Sequence, residues 1–426
     1  MIKLVKKLTF PLSGTITIPP DKSLSHRAAM LLSLTKGKSL IHNFSIAKDP
    51  ASTLSVLEQL GVEFDFLDKS ILQVNSKGSF KQPQNPLNCG NSGTTMRLIS
   101  GLLSAQNFKS VLIGDESLSK RPMKRIVEPL TLMGAQIHSD NFHAPLTIIG
   151  KNLHSIDYNL PISSAQVKSA ILLAGLFADG KTSITEPFIS RNHTELMLKY
   201  LGADISTTKN TVTISKSTLE PKDIHITGDI STAAYFIAAA LIVENSNIIL
   251  KNVGLNSTRT GFSDVCKLMG ANIEILDLKE VSGETVGDLR VKYSDLKSCE
   301  ITADIVPRLI DELPIIAVLA TQAKGITKIT GAQDLRNKES DRIKSTVNML
   351  KSIGANIEEL TDGFVIEGKT ELSGGTEVES QKDHRLIMSA FVAGLICKNP
   401  ILIKDYEWVD ISTPEFENLF EQIIPC

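Results

Sequence analysis

Two hydrophobic phrases alternate along this chain. The first sets apolar residues at helical spacing, ends on Gly, and is followed by a strand-like stretch. It reads LEQLGV ending at Val62, LTLMGA at Ala135, LKYLGA at Ala203, CKLMGA at Ala271 and LKSIGA at Ala355. This pattern predicts a helix closed by Gly61, Gly134, Gly202, Gly270 or Gly354, then a strand such as QIHSD, DIST or NIEIL.

The second phrase opens on a polar residue, runs through a helix of small and apolar residues, breaks, and enters a β-branched strand such as KTSIT, SNIILK or ITKIT. It starts at Asp21, Asn91, Ser163, Asp229, Asp311 and Asp383. These helices are apolar on nearly every face, so they are predicted to be buried. The repeats are too widely spaced for a solenoid and suit small α/β units. Six copies of one phrase against five of the other imply six units, the last ending in the degenerate FENLFEQI. Three units per domain, with sheets lining buried helices, is the expected α/β arrangement. Pro19-Pro20 and Thr227-Gly228-Asp229 are candidate crossovers. They predict one domain of residues 21–227 and a discontinuous one of 1–20 plus 228–426, able to hinge.

Composition narrows the class. A chain of 426 residues exceeds one ordinary core. Hydrophobic residues at 42% and charged residues at 22% argue against wholesale disorder. The net charge of -2, with 5% aromatics and one Trp, disfavours a nucleic-acid binder. Five cysteines, odd in number and without a CxxC, disfavour a disulfide framework or a zinc site. The start, MIKLVKKLTFPLSG, lacks the apolar core of a signal peptide, and the longest apolar run, Ala233 to Val243, is too short to span a bilayer. A cytoplasmic location without membrane contact is expected.

The helix starts carry the chemistry. Buried helices aimed at one cleft would present unpaired N–H groups and dipoles that favour anions. Lys22, Ser23 and Arg27 sit where they can grip a phosphate or carboxylate, although a capped helix with solvated basic residues would look the same. Gly90-Asn91-Ser92-Gly93-Thr94 resembles a backbone cradle for an oxyanion. Among Lys120, Arg121, Lys124 and Arg125, the residue before Pro122 is the best ligand candidate, since that proline is expected to start a helix. One of Ser163 and Ser164 is explained by N-capping, but Gln166 is not. Asp311 and Glu312 read equally as caps or as a general base. Leu335 to Arg342, dense in both signs, reads by itself as a solvated helix face. His384 reads as a buried structural histidine, whereas Arg385 at the start of a buried helix invites a ligand.

In order, GTITIPPDKSLSHRA, GNSGTTMRL, GDESLSKRPM, SSAQVKSAILLAG, the DELP helix, LRNKESDR and KDHRLIMSA resemble the motifs of the 5-enolpyruvylshikimate-3-phosphate synthase family of enolpyruvyl transferases. The resemblance runs from about Gly14 to Pro414. The SAQxKSA form and His193-Thr194-Glu195 are similar to the class that includes many Gram-positive enzymes. The resemblance implies a two-domain inverse α/β barrel, each domain of three βαβαββ units, closing over its substrates. It implies transfer of the enolpyruvyl group of phosphoenolpyruvate to the 5-hydroxyl of shikimate 3-phosphate, with phosphate released through a tetrahedral intermediate. That step lies on the route to chorismate and aromatic amino acids.

The resemblance also assigns residues. Lys22, Ser23, Arg27, Ser163, Ser164, Gln166, Asp311 and Lys338 match positions that hold shikimate 3-phosphate. Lys22, Gly93, Arg121, Gln166, Arg342 and Arg385 match positions around phosphoenolpyruvate. Asp311, Glu339 and Lys22 match the catalytic set, with Glu339 a proton donor to the methylene carbon, and Arg191 fits a further phosphate contact. No metal, no cofactor and a monomeric state are expected. Two departures stand out: Ser412-Thr413-Pro414 replaces a T/S-F-P triplet and lacks a nearby lysine, and Asn337 replaces an apolar residue. The sister transferase for a UDP-amino sugar is disfavoured because GDESLSKRP carries no Cys. An RNA 3′-phosphate cyclase is disfavoured by the motifs, and a catalytically dead anion binder by the intact Asp311, Lys22 and Glu339.

Overall fold

A computed structural model describes residues 1–425. The chain divides into two compact units. One, here the continuous unit, comprises Pro20–Thr227 with Val281–Glu284. The other, the split unit, comprises Met1–Pro19, Gly228–Glu280 and the residues from Thr285 onward. Each has its own apolar core.

The continuous unit holds three four-stranded sheets. In the second sheet, Leu87–Asn88 runs parallel to Lys109–Ile113, which pairs antiparallel with His143–Ile149, and Gln136–Asp140 lies outside that strand. The third repeats the order with Asp157–Asn159, Lys181–Thr185, Thr211–Ser215 and Ile205–Thr208. The first takes its opening strand from the far end of the unit: Ile224–His225 pairs parallel with Lys36–His42. Three inner helices serve these sheets: α1 (Lys22–Leu32), α2 (Gly93–Ser104) and α3 (Ala165–Gly175). Helices α2 and α3 touch backbone to backbone at Gly101, where a Cβ would stand 2.2 Å from the Ala170 carbonyl oxygen.

The split unit repeats the scheme around α4 (Ile230–Ile242), α5 (Leu313–Gln322) and α6 (His384–Gly394). Its first sheet takes the N-terminal strand Ser13–Thr17, parallel to Asn247–Gly254. Every residue of α4 is buried, as its all-round apolar surface requires. The last sheet has only three strands: Lys3–Val5, Ile401–Ile403 and Glu377–Val378. Beside it the helix Phe416–Glu421 packs Phe420 against Phe236 and Phe391, with ring centroids 4.5 and 4.9 Å apart. The degenerate FENLFEQI phrase thus covers core with aromatic rings in place of a fourth strand.

The two sequence phrases correspond to two kinds of helix end. Gly61, Gly134, Gly202, Gly270 and Gly354 all lie just past a helix with φ between +88° and +102°. A side chain there would be strained, which is why the phrase ends on Gly. At the opposite kind of end, Asp21, Ser92, Ser164, Asp229 and Asp383 cap α1, α2, α3, α4 and α6 through side-chain oxygens. Helix α5 differs: a 3-10 turn, Ile310–Glu312, precedes it, and neither Asp311 nor Glu312 caps it.

Candidate active site

In the continuous unit the inner helices bring cations together with hydroxyl, amide and carboxylate acceptors. Lys22, in the first turn of α1, holds Asp49 at 2.9 Å. One turn on, Arg27 is buried and donates from Nε to Thr194 Oγ1 at 2.7 Å, from Nη2 to Ser169 Oγ at 3.0 Å, and from Nη1 to the Ser23 carbonyl at 3.0 Å. Between these cations lies His26, whose Nδ1 meets Thr53 Oγ1 at 2.6 Å. Thr53 continues to Thr95 at 2.7 Å, and Thr95 donates to Ser92 at 2.8 Å. This buried chain ties α1 to the start of α2. Burial, then the charges of Lys22 and Arg27, hold the His26 pKa well below the usual histidine value, so it is a neutral linker.

At the start of α2, Gly93 leaves room for two guanidinium groups. A Cβ there would lie 2.9 Å from Arg97 Nη1 and 3.4 Å from Arg121 Nη1. Arg97 donates to Gln166 Oε1 at 2.7 Å, and Gln166 Nε2 donates to Thr94 Oγ1 at 3.0 Å, which fixes the Gln166 amide. Arg121 donates to Asn91 Oδ1 at 2.8 Å and Ser117 Oγ at 3.2 Å. Hydroxyl and amide oxygens help to orient these two guanidinium groups side by side, an arrangement that suits anion binding. Ser164 is the cap of α3, and Ser163 instead accepts from the Phe188 N–H at 2.9 Å. Arg191 lies half-buried in the irregular segment that follows.

In the split unit a second cluster mixes both signs. Arg342, 1% exposed, donates from Nε to Asp383 Oδ2 at 2.8 Å, from Nη1 to Asp311 Oδ1 at 3.2 Å, and from Nη2 to Glu339. Burial alone would lower its pKa, but the carboxylates of Asp383 and Glu339 outweigh that and raise it. Lys338 Nζ stands 3.3 Å from Asp311 Oδ1, and Arg385 Nη2 is 3.9 Å from Asp311 Oδ2. Burial opposes the charge of Arg385 too, and Asp311, Tyr235, Glu312 and Asp229 overcome it. Behind this layer, Ser231 donates to Glu312, and Arg259 donates to Ser231 Oγ at 2.6 Å and Asp229 Oδ1 at 3.2 Å.

Three expectations need correction. Asp311 and Glu312 are not caps, because the chain enters α5 through a 3-10 turn that points both carboxylates at guanidinium groups. Leu335–Arg342 is not a solvated helix face: it is a 3-10 turn over Gln333–Asn337, then a loop, and Arg342 starts the next helix buried. Pro122 does not start a helix; Met123 precedes one that begins at Lys124. Lys120 and Lys124 are exposed and pair with Glu116 and Glu128, as solvated residues would. His384 is buried.

Several participants carried no assignment from sequence. Arg97 had a legible signal, lying one helical turn beyond Gly93 on the same face. Asp49 and Arg259 had none, since each meets its partner only through packing of separate elements, whereas Thr194 and Ser169 lie within the quoted motifs but were given no role.

The stacked βαβαββ units with buried, polar-started helices define the enolpyruvyl transferase class of α/β folds. The structure superposes on the enolpyruvyl transferase NikO of Streptomyces tendae with a TM-score of 0.80, at 16% identity, covering 99% of this chain and 97% of that one. It superposes on the EPSP synthase of Acinetobacter baumannii with a TM-score of 0.88, at 41% identity, covering 99% and 97%. The 3-phosphoshikimate 1-carboxyvinyltransferase of Thermodesulfovibrio yellowstonii is 52% identical over 99% of this chain and 100% of that protein. That of Bacillus licheniformis is 46% identical, covering 97% of each. The chain belongs to the EPSP synthase (3-phosphoshikimate 1-carboxyvinyltransferase) family, matched over residues 7–420.

Proposed function

We propose that this chain transfers the enolpyruvyl group of phosphoenolpyruvate to the 5-hydroxyl of shikimate 3-phosphate and releases phosphate. The observation that carries the reading is the triple hold of Arg342 on Asp311, Glu339 and Asp383. It keeps two carboxyl groups of different role on one guanidinium. Asp311, flanked by Lys338 and Arg342, is the base that takes the hydroxyl proton. Glu339 is the acid that protonates the methylene carbon of the enol. The hydroxyl oxygen then bonds to the adjacent carbon, giving a tetrahedral ketal phosphate. In the second half the methyl group returns a proton, the carbon–oxygen bond to phosphate breaks, and the double bond re-forms.

In this reading Lys22, Ser23, Arg27, Ser163, Ser164, Gln166, Asp311 and Lys338 hold shikimate 3-phosphate. Lys22, Gly93, Arg121, Gln166, Arg342 and Arg385 hold phosphoenolpyruvate. The abundance of cations supports it, since two multiply charged anions repel unless compensated. Among the described residues no helix is long and apolar enough to cross a membrane. A cytoplasmic monomer is the simplest form for such an enzyme, and sedimentation of the purified chain tests the monomer. The decisive assay is release of phosphate from phosphoenolpyruvate. It should require shikimate 3-phosphate and should not be supported by UDP-N-acetylglucosamine. Release with the sugar nucleotide alone would overturn the reading.

A further inference from the structure

The His193-Thr194-Glu195 stretch and Lys168 take no part in the chemistry above, yet all four residues are buried. Lys168, 1% exposed on α3, lies 2.7 Å from Glu186 and 2.7 Å from Glu195. Glu186 also accepts from the Ser190 N–H at 3.2 Å and from the Ser190 hydroxyl. On the other side, the His193 ring meets Glu284 at 2.6 Å. The segment from Glu186 to Glu195 is therefore fastened to α3 by buried charge. Burial works against the Lys168 ammonium, but Glu195 and Glu186 prevail and raise its pKa, so Lys168 stays charged at neutral pH.

Thr194 sits at the end of that fastened segment and touches Arg27. One assignment of the protons satisfies every contact there. Ser169 donates its hydroxyl proton to the Ala165 carbonyl at 2.6 Å. In it Thr194, 2.6 Å from Ser169, donates to Ser169 and accepts from Arg27 Nε at 2.7 Å. Ser169 in turn accepts from Arg27 Nη2 at 3.0 Å. Two neighbouring nitrogens of one planar guanidinium are thus held by two hydroxyls that are themselves locked together. That fixes the plane of the group as well as its position.

We propose that Thr194, braced by the Lys168–Glu186–Glu195 triplet, is a positioning residue that sets the Arg27 guanidinium in place for shikimate 3-phosphate. The inference rests on the Proposed function reading of Arg27. It extends substrate recognition to residues that never touch the substrate.

The test is steady-state kinetics on the full chain with each substrate varied in turn, alongside thermal denaturation. Thr194→Val keeps the shape and removes the hydroxyl. It should raise KM for shikimate 3-phosphate about tenfold, the size expected for one hydrogen bond to a charged group. KM for phosphoenolpyruvate and kcat should stay within about twofold, since the lost contact acts on neither. Thr194→Ser should restore the parent KM. Lys168→Met, if folded, should raise the same KM. Equal KM values in Thr194→Val and the parent would overturn the inference, as would a rise in both KM values with no rescue by serine. Arg27→Ala separates the levels. If it leaves KM for shikimate 3-phosphate unchanged, the role of Arg27 fails and this inference with it. If it raises that KM while Thr194→Val does not, only the positioning role fails.

Discussion

Arg342 and Asp383 form a two-point ion pair with Nε–Oδ2 at 2.8 Å and Nη2–Oδ1 at 3.2 Å, in a place where both side chains are excluded from water. Asp383 also caps α6 by accepting from the Arg385 N–H at 3.0 Å. One carboxylate thereby sets the positions of two arginines, one by direct pairing and the other through the helix it starts. Removing one partner of such a pair leaves an uncompensated buried charge, which is costlier than the pair is favourable.

Asp383→Asn retains a capping oxygen and deletes the charge. It should lose about 3 kcal/mol of stability and also reduce kcat/KM for phosphoenolpyruvate, because Arg342 is then shared only with Asp311 and Glu339. Chemical denaturation and initial-rate assays check both. Unaltered stability would mean that Arg342 is compensated elsewhere.

Asp311→Asn should bind both substrates but turn over at least about a hundredfold more slowly, the usual scale for loss of a general base. Binding by calorimetry and turnover by phosphate release separate the two effects. Near-parental turnover would take Asp311 out of the proton-transfer step.

Arg121→Ala should raise KM for phosphoenolpyruvate much more than KM for shikimate 3-phosphate. Arg121 abuts Gly93, whereas Arg27 belongs to a separate set of contacts. Equal increases would place Arg121 outside the proposed phosphoenolpyruvate subsite.

His26 gives a pH signature. Its pKa is well below the usual value in the folded chain and ordinary, about 6.5, when unfolded. Between those two values the unfolded chain binds a proton that the folded chain refuses, so stability falls as pH drops below about 6.5. The slope from this one group approaches about 1.4 kcal/mol per pH unit. His26→Asn should be less stable at pH 7 but lose less on acidification to pH 5, as denaturant midpoints across that range would reveal. Parallel slopes in the two proteins would assign the acid sensitivity to other groups.

Much of the molecule was legible in the sequence because the signals are local. A helix that is apolar on every face announces its burial, as α4 does. A Gly after a helix announces a left-handed residue, as all five such glycines show. A Ser or Asp before an apolar run announces a cap, and five of the six inner helices bear it out. The exception, α5, failed because Asp311-Glu312 has the composition of a cap while the backbone makes a 3-10 turn. Local composition does not distinguish a carboxylate facing its own helix from one facing an arginine 31 residues away.

The sequence by itself therefore determined the repeated α/β units, the buried helices and the polar residues at their starts, since each depends on neighbours within a few turns of chain. Only the tertiary structure decided which charges meet. Arg27 with Thr194, Arg97 with Gln166 and Arg342 with Asp383 are separated by 167, 69 and 41 residues. The physical reason is range: hydrophobic periodicity is written along the chain, whereas a buried charge is compensated by whatever the packed elements place within about 3 Å of it.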